Sequence, residues 1–262
     1  ADEAVRPLEE ALLRGPMGDN ARGLAGFERA KRIVRRACLT VTRHLAAGDF
    51  TLDRAEALFG YARPDSLPAV PLRLADGTRV DLQGKIDRID RCDAAGTTYL
   101  RVVDYKSGLA TLEPAKTWWG LQLQLTVYLD AAVAGTPGAV PAGAFYFHVA
   151  DPLAPLEQDD PAAAEEAIAR RLRLKGVLLA DEVALQAMDA SEGGVAVGTT
   201  FKREGGLRKD ARTLDLPQMQ ALLRHAREQA SSLAEALYGG DTTVLPVQSG
   251  NVASCAHCDY PL

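Results

Sequence analysis

The sequence lacks the features of several protein classes. Its 262 residues include only four cysteines, too few for a small scaffold held together by disulfides. No segment approaches the roughly 18 consecutive apolar residues of a transmembrane helix, so no membrane is expected as a partner. Ala1 to Glu10 are acidic and lack the basic and then apolar order of a signal peptide. We therefore expect a cytoplasmic chain, and its 47% hydrophobic and 25% charged residues are typical of a globular protein.

Acidic residues outnumber basic ones, 35 to 30. The formal net charge is -5, whereas a protein that binds DNA on its own without sequence preference is normally basic. Nucleic acid is therefore either not a partner, or it is contacted locally with the help of another chain. Between Arg22 and Arg43, however, seven basic residues stand against one acid. A solvated helix face is the ordinary explanation of such a run.

Hydrophobic periodicity predicts both strands and helices, with a helical C-terminal extension. We expect a core over about 27–150, an extension over about 151–240 and a cysteine-containing tail over 241–262, all within one unit of 1–262. The expected strands are 70–74, 80–91, 98–105 and 143–149. The expected helices are 26–47, 118–133, 162–174, 181–188 and 216–238. Loops are expected at 64–71 and 191–212.

The most informative block is GKIDRID, from Gly84 to Asp90, followed by a second strand that contains VVDYKSG. A hairpin centred between Ala95 and Gly96 places Asp87 opposite Asp104. Directly opposed side chains lie about 5 Å apart at Cβ, and like charges there repel each other. The strand around Asp104 is otherwise apolar, which makes a carboxylate costlier still. A hard divalent cation such as Mg²⁺ would offset this cost.

Lys106 lies two residues beyond Asp104 and so shares its face of the strand. The chain contains 23 arginines and seven lysines, so composition does not favour a lysine at this position. An ammonium group there can orient or deprotonate a water molecule, or stabilise negative charge on a phosphate. An ordinary surface strand with a salt-bridged Asp and Lys is the alternative for this short motif taken alone.

Together these motifs resemble the PD-(D/E)XK nucleases, and within them the RecB-like exonuclease domains. The resemblance implies an α/β fold with a restriction-endonuclease-like core, in which a central mixed sheet is flanked by helices. It implies that Asp87 and Asp104 bind Mg²⁺ or Mn²⁺ together with the main-chain carbonyl of Tyr105, and that Lys106 is the catalytic lysine.

The RecB-like branch carries a further Q-x-x-x-Y motif, which matches Gln124 and Tyr128 in this sequence. Four-residue spacing puts both side chains on one helix face. The resemblance implies that this face borders the active site and contacts DNA. An ordinary amphipathic helix would explain the motif in isolation.

Longer segments, 141–153, 172–189 and parts of the tail, resemble the nuclease domain of the AddB-type chains of AddAB helicase–nucleases. This resemblance covers roughly 27–262. It implies an exonuclease that hydrolyses DNA unwound by an AddA-type helicase subunit during double-strand-break end processing. Two alternatives stay open: a catalytically silent nuclease-like scaffold that binds DNA or a partner, and a stand-alone RecB-like nuclease.

Some residues of the family pattern are missing. No histidine precedes Arg43 where the family has an upstream metal ligand; His44 comes too late in the chain to take that role, and we expect His148 to be a packed residue. The family also has a [4Fe–4S] cluster bound by four cysteines, of which Cys255 and Cys258 match two. The resemblance therefore implies a piece of a larger subunit whose cluster is absent or incomplete in this chain.

Overall fold

The computed structural model describes residues 20–153, 160–191, 193–198, 212–243, 246–249 and 252–253. In chain order the elements are α1 (Ala21–Ala46), β1 (Thr51–Phe59), β2 (Val70–Arg73), β3 (Arg79–Leu82), β4 (Gly84–Ala94), β5 (Thr97–Lys106), α2 (Pro114–Trp118), α3 (Gln124–Ala134), β6 (Val140–His148), α4 (Pro161–Arg171), β7 (Lys175–Leu179), α5 (Glu182–Met188), β8 (Thr213–Leu214), α6 (Leu216–Tyr238), β9 (Gln248–Ser249) and β10 (Val252–Ala253). The expected cluster ligands Cys255 and Cys258 lie outside the described residues. None of the helices in the described ranges is long and apolar enough to cross a bilayer.

A six-stranded mixed sheet, with the order β1-β4-β5-β6-β7-β8, forms the centre of the fold. The pairs β5–β6 and β7–β8 are parallel, and the other neighbours are antiparallel. A parallel pair needs a crossover connection, and the segment containing α2 and α3 provides it between β5 and β6. Strands β2 and β3 form a separate hairpin, and β9 pairs with β10. This is the mixed sheet with flanking helices that the sequence predicts.

Helices lie on both faces of the sheet, and the central strands β5 and β6 are buried at most of their positions. Strand β6 is buried at seven consecutive positions from Pro141 to Phe147, as expected for the run GAFYFHV. Successive side chains of a strand point to opposite faces. On one face, His44 of α1 contacts the ring of Phe147 edge-on, at 5.8 Å between centroids. On the other, Gln124 of α3 reaches the side chain of Lys106.

The β4–β5 hairpin has the predicted register. Its turn consists of Ala95 and Gly96, which both have positive φ, 49° and 76°, as the preferred two-residue hairpin turn requires. Pairing runs from Ala94 and Thr97 at the turn to Arg88 and Val103. The next position along the hairpin is that of Asp87 and Asp104.

Several predicted boundaries were wrong. The helix expected over 118–133 begins only at Gln124, because Trp118 ends α2 and Gly120 has a φ of +73°. Helix α4 ends at Arg171. Strand β2 begins at Val70, as expected for the strand over 70–74, and ends one residue earlier, at Arg73. Strands β1 and β7 were not predicted. Six of the nine residues of β1 are exposed, so it has no apolar alternation to reveal it.

Helix α6 has the predicted bounds, and its ends have clear causes. Asp215 caps its N-terminus in a reciprocal capping box with Gln218, and Gly239 is the C-cap. Near its middle, Arg227 forms an ion pair with Asp130 of α3, with 2.6 Å between Nε and Oδ2. This contact holds α6 against the helix that carries the Q-x-x-x-Y motif.

Candidate active site

The candidate site begins where the pairing of β4 with β5 ends. Strand β4 stays paired with β1 as far as Gly84, whereas its ladder with β5 ends at Arg88 and Val103. One residue further, the Tyr105 amide donates a hydrogen bond to Oδ2 of Asp87 at 2.8 Å. The carboxylate of Asp87 therefore takes the place of a main-chain acceptor at the end of the ladder. This contact fixes Asp87 beside the strand that carries Asp104.

Gly84 explains how β4 approaches β1 so closely at this end. A Cβ atom at this position would lie 2.8 Å from Cε1 of Phe59, closer than van der Waals contact allows. Any larger residue would push the Phe59 ring away. That ring in turn packs edge-on against Tyr128, at 5.9 Å between centroids. The glycine of the G-x-x-D motif thus has a packing role three residues before Asp87.

Asp104 is the buried member of the carboxylate pair. Its side chain is only 4% exposed, and its Oδ2 atom makes no hydrogen bond. The Lys106 ammonium lies 2.6 Å from this atom as an ion pair. Burial raises the pKa of Asp104 above its ordinary value; Lys106 opposes this rise, and the nearby charge of Asp87 adds to it. The Lys106 ammonium therefore offsets part of the cost of burying this carboxylate, although the contact lacks hydrogen-bond geometry.

Contacts from three directions position the Lys106 side chain. Besides the Asp104 contact, Nζ donates a hydrogen bond to Oε1 of Gln124 at 2.9 Å and lies 5.5 Å from the ring centroid of Tyr146. The Gln124 amide nitrogen donates to the Tyr128 hydroxyl at 3.0 Å. Hydrogen bonds therefore link the Q-x-x-x-Y pair of α3 to Lys106.

The structure brings Asp87, Asp104, Lys106, Gln124 and Tyr128 into one connected group. Tyr105 itself turns to the other face of β5, where its ring contacts Phe147 edge-on at 5.8 Å. The role expected of its main-chain carbonyl stays a prediction. His148 follows as the last residue of β6, half-buried, with Nε2 3.2 Å from the Ser107 carbonyl oxygen.

The donor atoms suit a hard divalent cation. Within the described residues, no three or more His, Cys, Asp or Glu side chains group as a metal site. The charge of Asp87 nevertheless lies close enough to Asp104 to raise the pKa of that carboxyl, and Oδ2 of Asp104 accepts no hydrogen bond. Mg²⁺ needs only one or two carboxylates because it keeps several of its waters. The residues present therefore fit Mg²⁺ or the similar Mn²⁺.

The sequence analysis missed a buried charge network on the opposite face of the same hairpin. Asp90, fully buried, accepts hydrogen bonds from Nε and Nη2 of Arg88, at 2.6 and 2.7 Å, and from Nε of Arg101 at 2.8 Å. The predicted register already placed Asp90 opposite Arg101, so a signal was available. His44 lies on this face; burial lowers its pKa to about 3, and the charges of Arg101 and Arg88 add to the effect. His44 is therefore neutral and on the face away from the carboxylate pair.

Comparisons with known proteins identify a matching family and similar sequences. A family model described as the PD-(D/E)XK nuclease superfamily matches residues 1–261. The chain is 32% identical over 240 residues to the B chain of the ATP-dependent helicase/deoxyribonuclease of Alkaliphilus metalliredigens, covering 88% of this chain and 21% of that protein. It is 30% identical over 270 residues to the protein of the same description from Bacillus subtilis, covering 98% and 23%. The corresponding Thermoanaerobacter protein is 27% identical over 270 residues, covering 99% and 23%. The chain thus spans about a fifth of the length of these relatives.

Proposed function

The chain belongs to the PD-(D/E)XK nuclease superfamily, and we propose that it hydrolyses phosphodiester bonds of DNA with the help of a divalent metal ion. The observation that carries this proposal is the convergence of Asp87, Asp104 and Lys106 at the open end of the β4–β5 ladder. The relatives, which are chains of an ATP-dependent helicase/deoxyribonuclease, support a setting within a larger protein. There, an AddA-type helicase subunit would supply the unwound strand in the cytoplasm during double-strand-break end processing.

The proposed chemistry assigns a distinct task to each side chain. Asp87 and Asp104 would hold the metal ion, with the Tyr105 carbonyl as a third oxygen. A bound Mg²⁺ or Mn²⁺ supplies Lewis acidity and lowers the pKa of a bound water. The Lys106 ammonium carries a fixed positive charge near the carboxylates, where it can orient the attacking water and stabilise charge that develops on the phosphate. Gln124 would act as a positioning residue, since its amide oxygen holds the ammonium.

The test is a cleavage assay on single-stranded DNA with Mg²⁺ or Mn²⁺, comparing the unaltered chain with Asp104→Ala. Asp93→Ala is a matched control, because Asp93 is an exposed carboxylate of the same hairpin. We expect metal-dependent cleavage that Asp104→Ala abolishes and Asp93→Ala preserves. Equal rates for the unaltered chain and Asp104→Ala would refute the proposal. Binding of DNA without cleavage by either would favour the silent scaffold.

We further propose that Cys255 and Cys258 are two of four ligands of a [4Fe–4S] cluster in the longer protein. Such clusters are normally held by four cysteine thiolates, and neither Cys38, which is exposed on α1, nor Cys92, which is buried in β4, belongs to the expected set. The purified chain should then contain far less iron than a full cluster requires. Iron analysis and visible absorbance measure this, and stoichiometric cluster iron would contradict the assignment.

A further inference from the structure

Helix α1 borders a concave surface that the proposed chemistry does not use. We call it the arginine cleft; its volume is about 270 Å³. The α1 residues that line it follow a spacing of three and four, which places them on one helix face. At 1.5 Å per residue they extend over about 16 Å. The lining residues are Arg32, Arg35, Arg36, Leu39, Thr40, Arg43, Asp151 and Glu165.

The arginine cleft has a surplus of positive charge. Arg36 forms two ion pairs: its Nε lies 3.1 Å from Asp151, and its Nη1 lies 2.9 Å from Glu165. The hydrogen bond and charge of Glu165, together with Asp151, raise the pKa of Arg36 despite its partial burial. Arg32 reaches the same Asp151 at 3.6 Å. Among the described residues of the cleft, Asp151 and Glu165 are engaged by Arg36 and Arg32, whereas Arg43 has no acidic partner. Like charges at this helical spacing repel each other, and an anionic ligand would offset the repulsion.

The arginine cleft and the candidate active site both adjoin the end of β5, but α1 packs on the sheet face away from the carboxylate pair, where His44 contacts Phe147. Asp151 follows the end of β6 by three residues, and two residues before it the Val149 amide donates a hydrogen bond to the Lys106 carbonyl at 2.8 Å. Two residues of extended chain span at most about 7 Å. The contact between Arg36 and Asp151 therefore attaches the arginine cleft to the end of the sheet at which β5 ends with Lys106.

We propose that the arginine cleft binds the phosphates of a single DNA strand at the same end of the sheet as the cleavage site but on the opposite face; the proposal rests on the nuclease function proposed above. Guanidinium groups recognise phosphate through paired, charge-assisted hydrogen bonds. Leu39, 61% exposed on the same face, adds an apolar surface for a sugar or a base. A flexible single strand can enter a concave surface of this size, whereas a rigid duplex would touch only its rim. Arg36 is the internal anchor, and Arg32 and Arg43 are the proposed phosphate contacts.

The test measures binding without cleavage. Fluorescence anisotropy with a labelled oligothymidylate, in EDTA, compares the unaltered chain with Arg32→Ala/Arg43→Ala at several salt concentrations. Each phosphate contact contributes about 0.7 to the slope of log affinity against log salt for single strands. The double variant should therefore lose about 1.4 in slope, and about 25-fold in affinity near 0.1 M salt. The conservative variant Arg32→Lys/Arg43→Lys should keep most of the slope.

The matched control is Arg63→Ala/Arg79→Ala, which removes two exposed arginines outside the arginine cleft. It loses the same net charge, so it should leave the slope unchanged. Circular dichroism and the thermal midpoint check that all variants are folded. A slope for the cleft variant equal to that of the control overturns the proposal. Duplex DNA that competes as well as a single strand overturns the choice of single strand.

The cleavage assay separates this proposal from the nuclease function. If Asp104→Ala abolishes cleavage while the cleft variant binds DNA like the unaltered chain, only the cleft proposal is wrong. If the unaltered chain binds DNA through Arg32 and Arg43 but does not cut it with Mg²⁺ or Mn²⁺, the cleft proposal stands and the nuclease proposal fails.

Discussion

Strand β4 contains two Arg–Asp pairs with the same geometry and opposite burial. In each, an arginine donates two hydrogen bonds to the carboxylate two residues further on: Arg88 to Asp90 at 2.6 and 2.7 Å, and Arg91 to Asp93 at 2.8 and 2.9 Å. The side chains of the first pair are 5% and 0% exposed, whereas those of the second are 39% and 60% exposed. The strand therefore provides its own control for the effect of burial on an ion pair.

Asp90→Asn should destabilise the protein far more than Asp93→Asn. Removing one partner of a buried ion pair costs about 3–5 kcal/mol, because the remaining charge is left buried without its counter-charge. Here two arginines would be left, and both Nη atoms of Arg101 already lack hydrogen-bond partners. An exposed pair contributes only about 0.2–1 kcal/mol. Against a typical free energy of unfolding of about 5–15 kcal/mol, the Asp90 change alone would remove a large share.

Urea denaturation followed by circular dichroism measures both changes in the free energy of unfolding. Thermal unfolding is a second assay, in which a chain of this size loses about 2–4 °C per kcal/mol. We expect Asp90→Asn to lower the midpoint by about 10 °C and Asp93→Asn by less than about 4 °C. Equal losses for the two variants would refute the reasoning, since burial is the main difference between the two pairs.

Three further predictions concern the candidate site. A carboxyl group whose pKa is raised on folding destabilises the protein as pH rises from its unfolded pKa through its folded pKa. In EDTA, Asp104→Asn should therefore remove a fall in stability with rising pH. Calorimetry across the acidic range measures this, and an unchanged pH profile would contradict it. Gln124→Ala should lower kcat roughly ten- to hundredfold with little change in KM, since it removes the hydrogen bond that helps to position the Lys106 ammonium. Tyr128→Phe removes only the hydroxyl that contacts Gln124 and keeps the ring that packs against Phe59, so it should lower kcat less; single-turnover kinetics test the order. Calorimetric titration should detect Mg²⁺ only in the millimolar range, and Asp87→Ala should abolish the signal; tight binding that survives this change would place the metal elsewhere.

The parts of the site that could be predicted from the sequence depend on local rules. A two-residue turn at Ala95 and Gly96 fixes the register of the hairpin, and strand alternation then decides which side chains share a face. This was enough to place Asp87 beside the strand that carries Asp104. The four-residue spacing of Gln124 and Tyr128 works in the same way on a helix.

The parts that could not be predicted depend on contacts between distant segments. Strand β1 is an edge strand with exposed charged residues, and exposed charge keeps many edge strands from pairing with other chains. Because of these charged residues, β1 does not show the apolar alternation of a half-buried strand. The hydrogen bond between Gln124 and Lys106 joins α3 to β5, which are distant in sequence. The periodicity over 118–133 predicts one helix, but the chain turns at Gly120 between α2 and α3. The arginine cleft depends on Asp151 and Glu165, two acids more than 100 positions from Arg36.

The two charged clusters of the hairpin depend on one register. The same strand pairing that brings the like charges of Asp87 and Asp104 together also pairs Asp90 with Arg101. The repulsion on one face costs stability as long as no cation is bound. The buried network three residues away favours this register over a slip by one residue, because a slip would move every side chain to the other face and leave Asp90 without its arginine. The charge network on the face opposite the site therefore stabilises the register that a metal-binding pair of carboxylates needs.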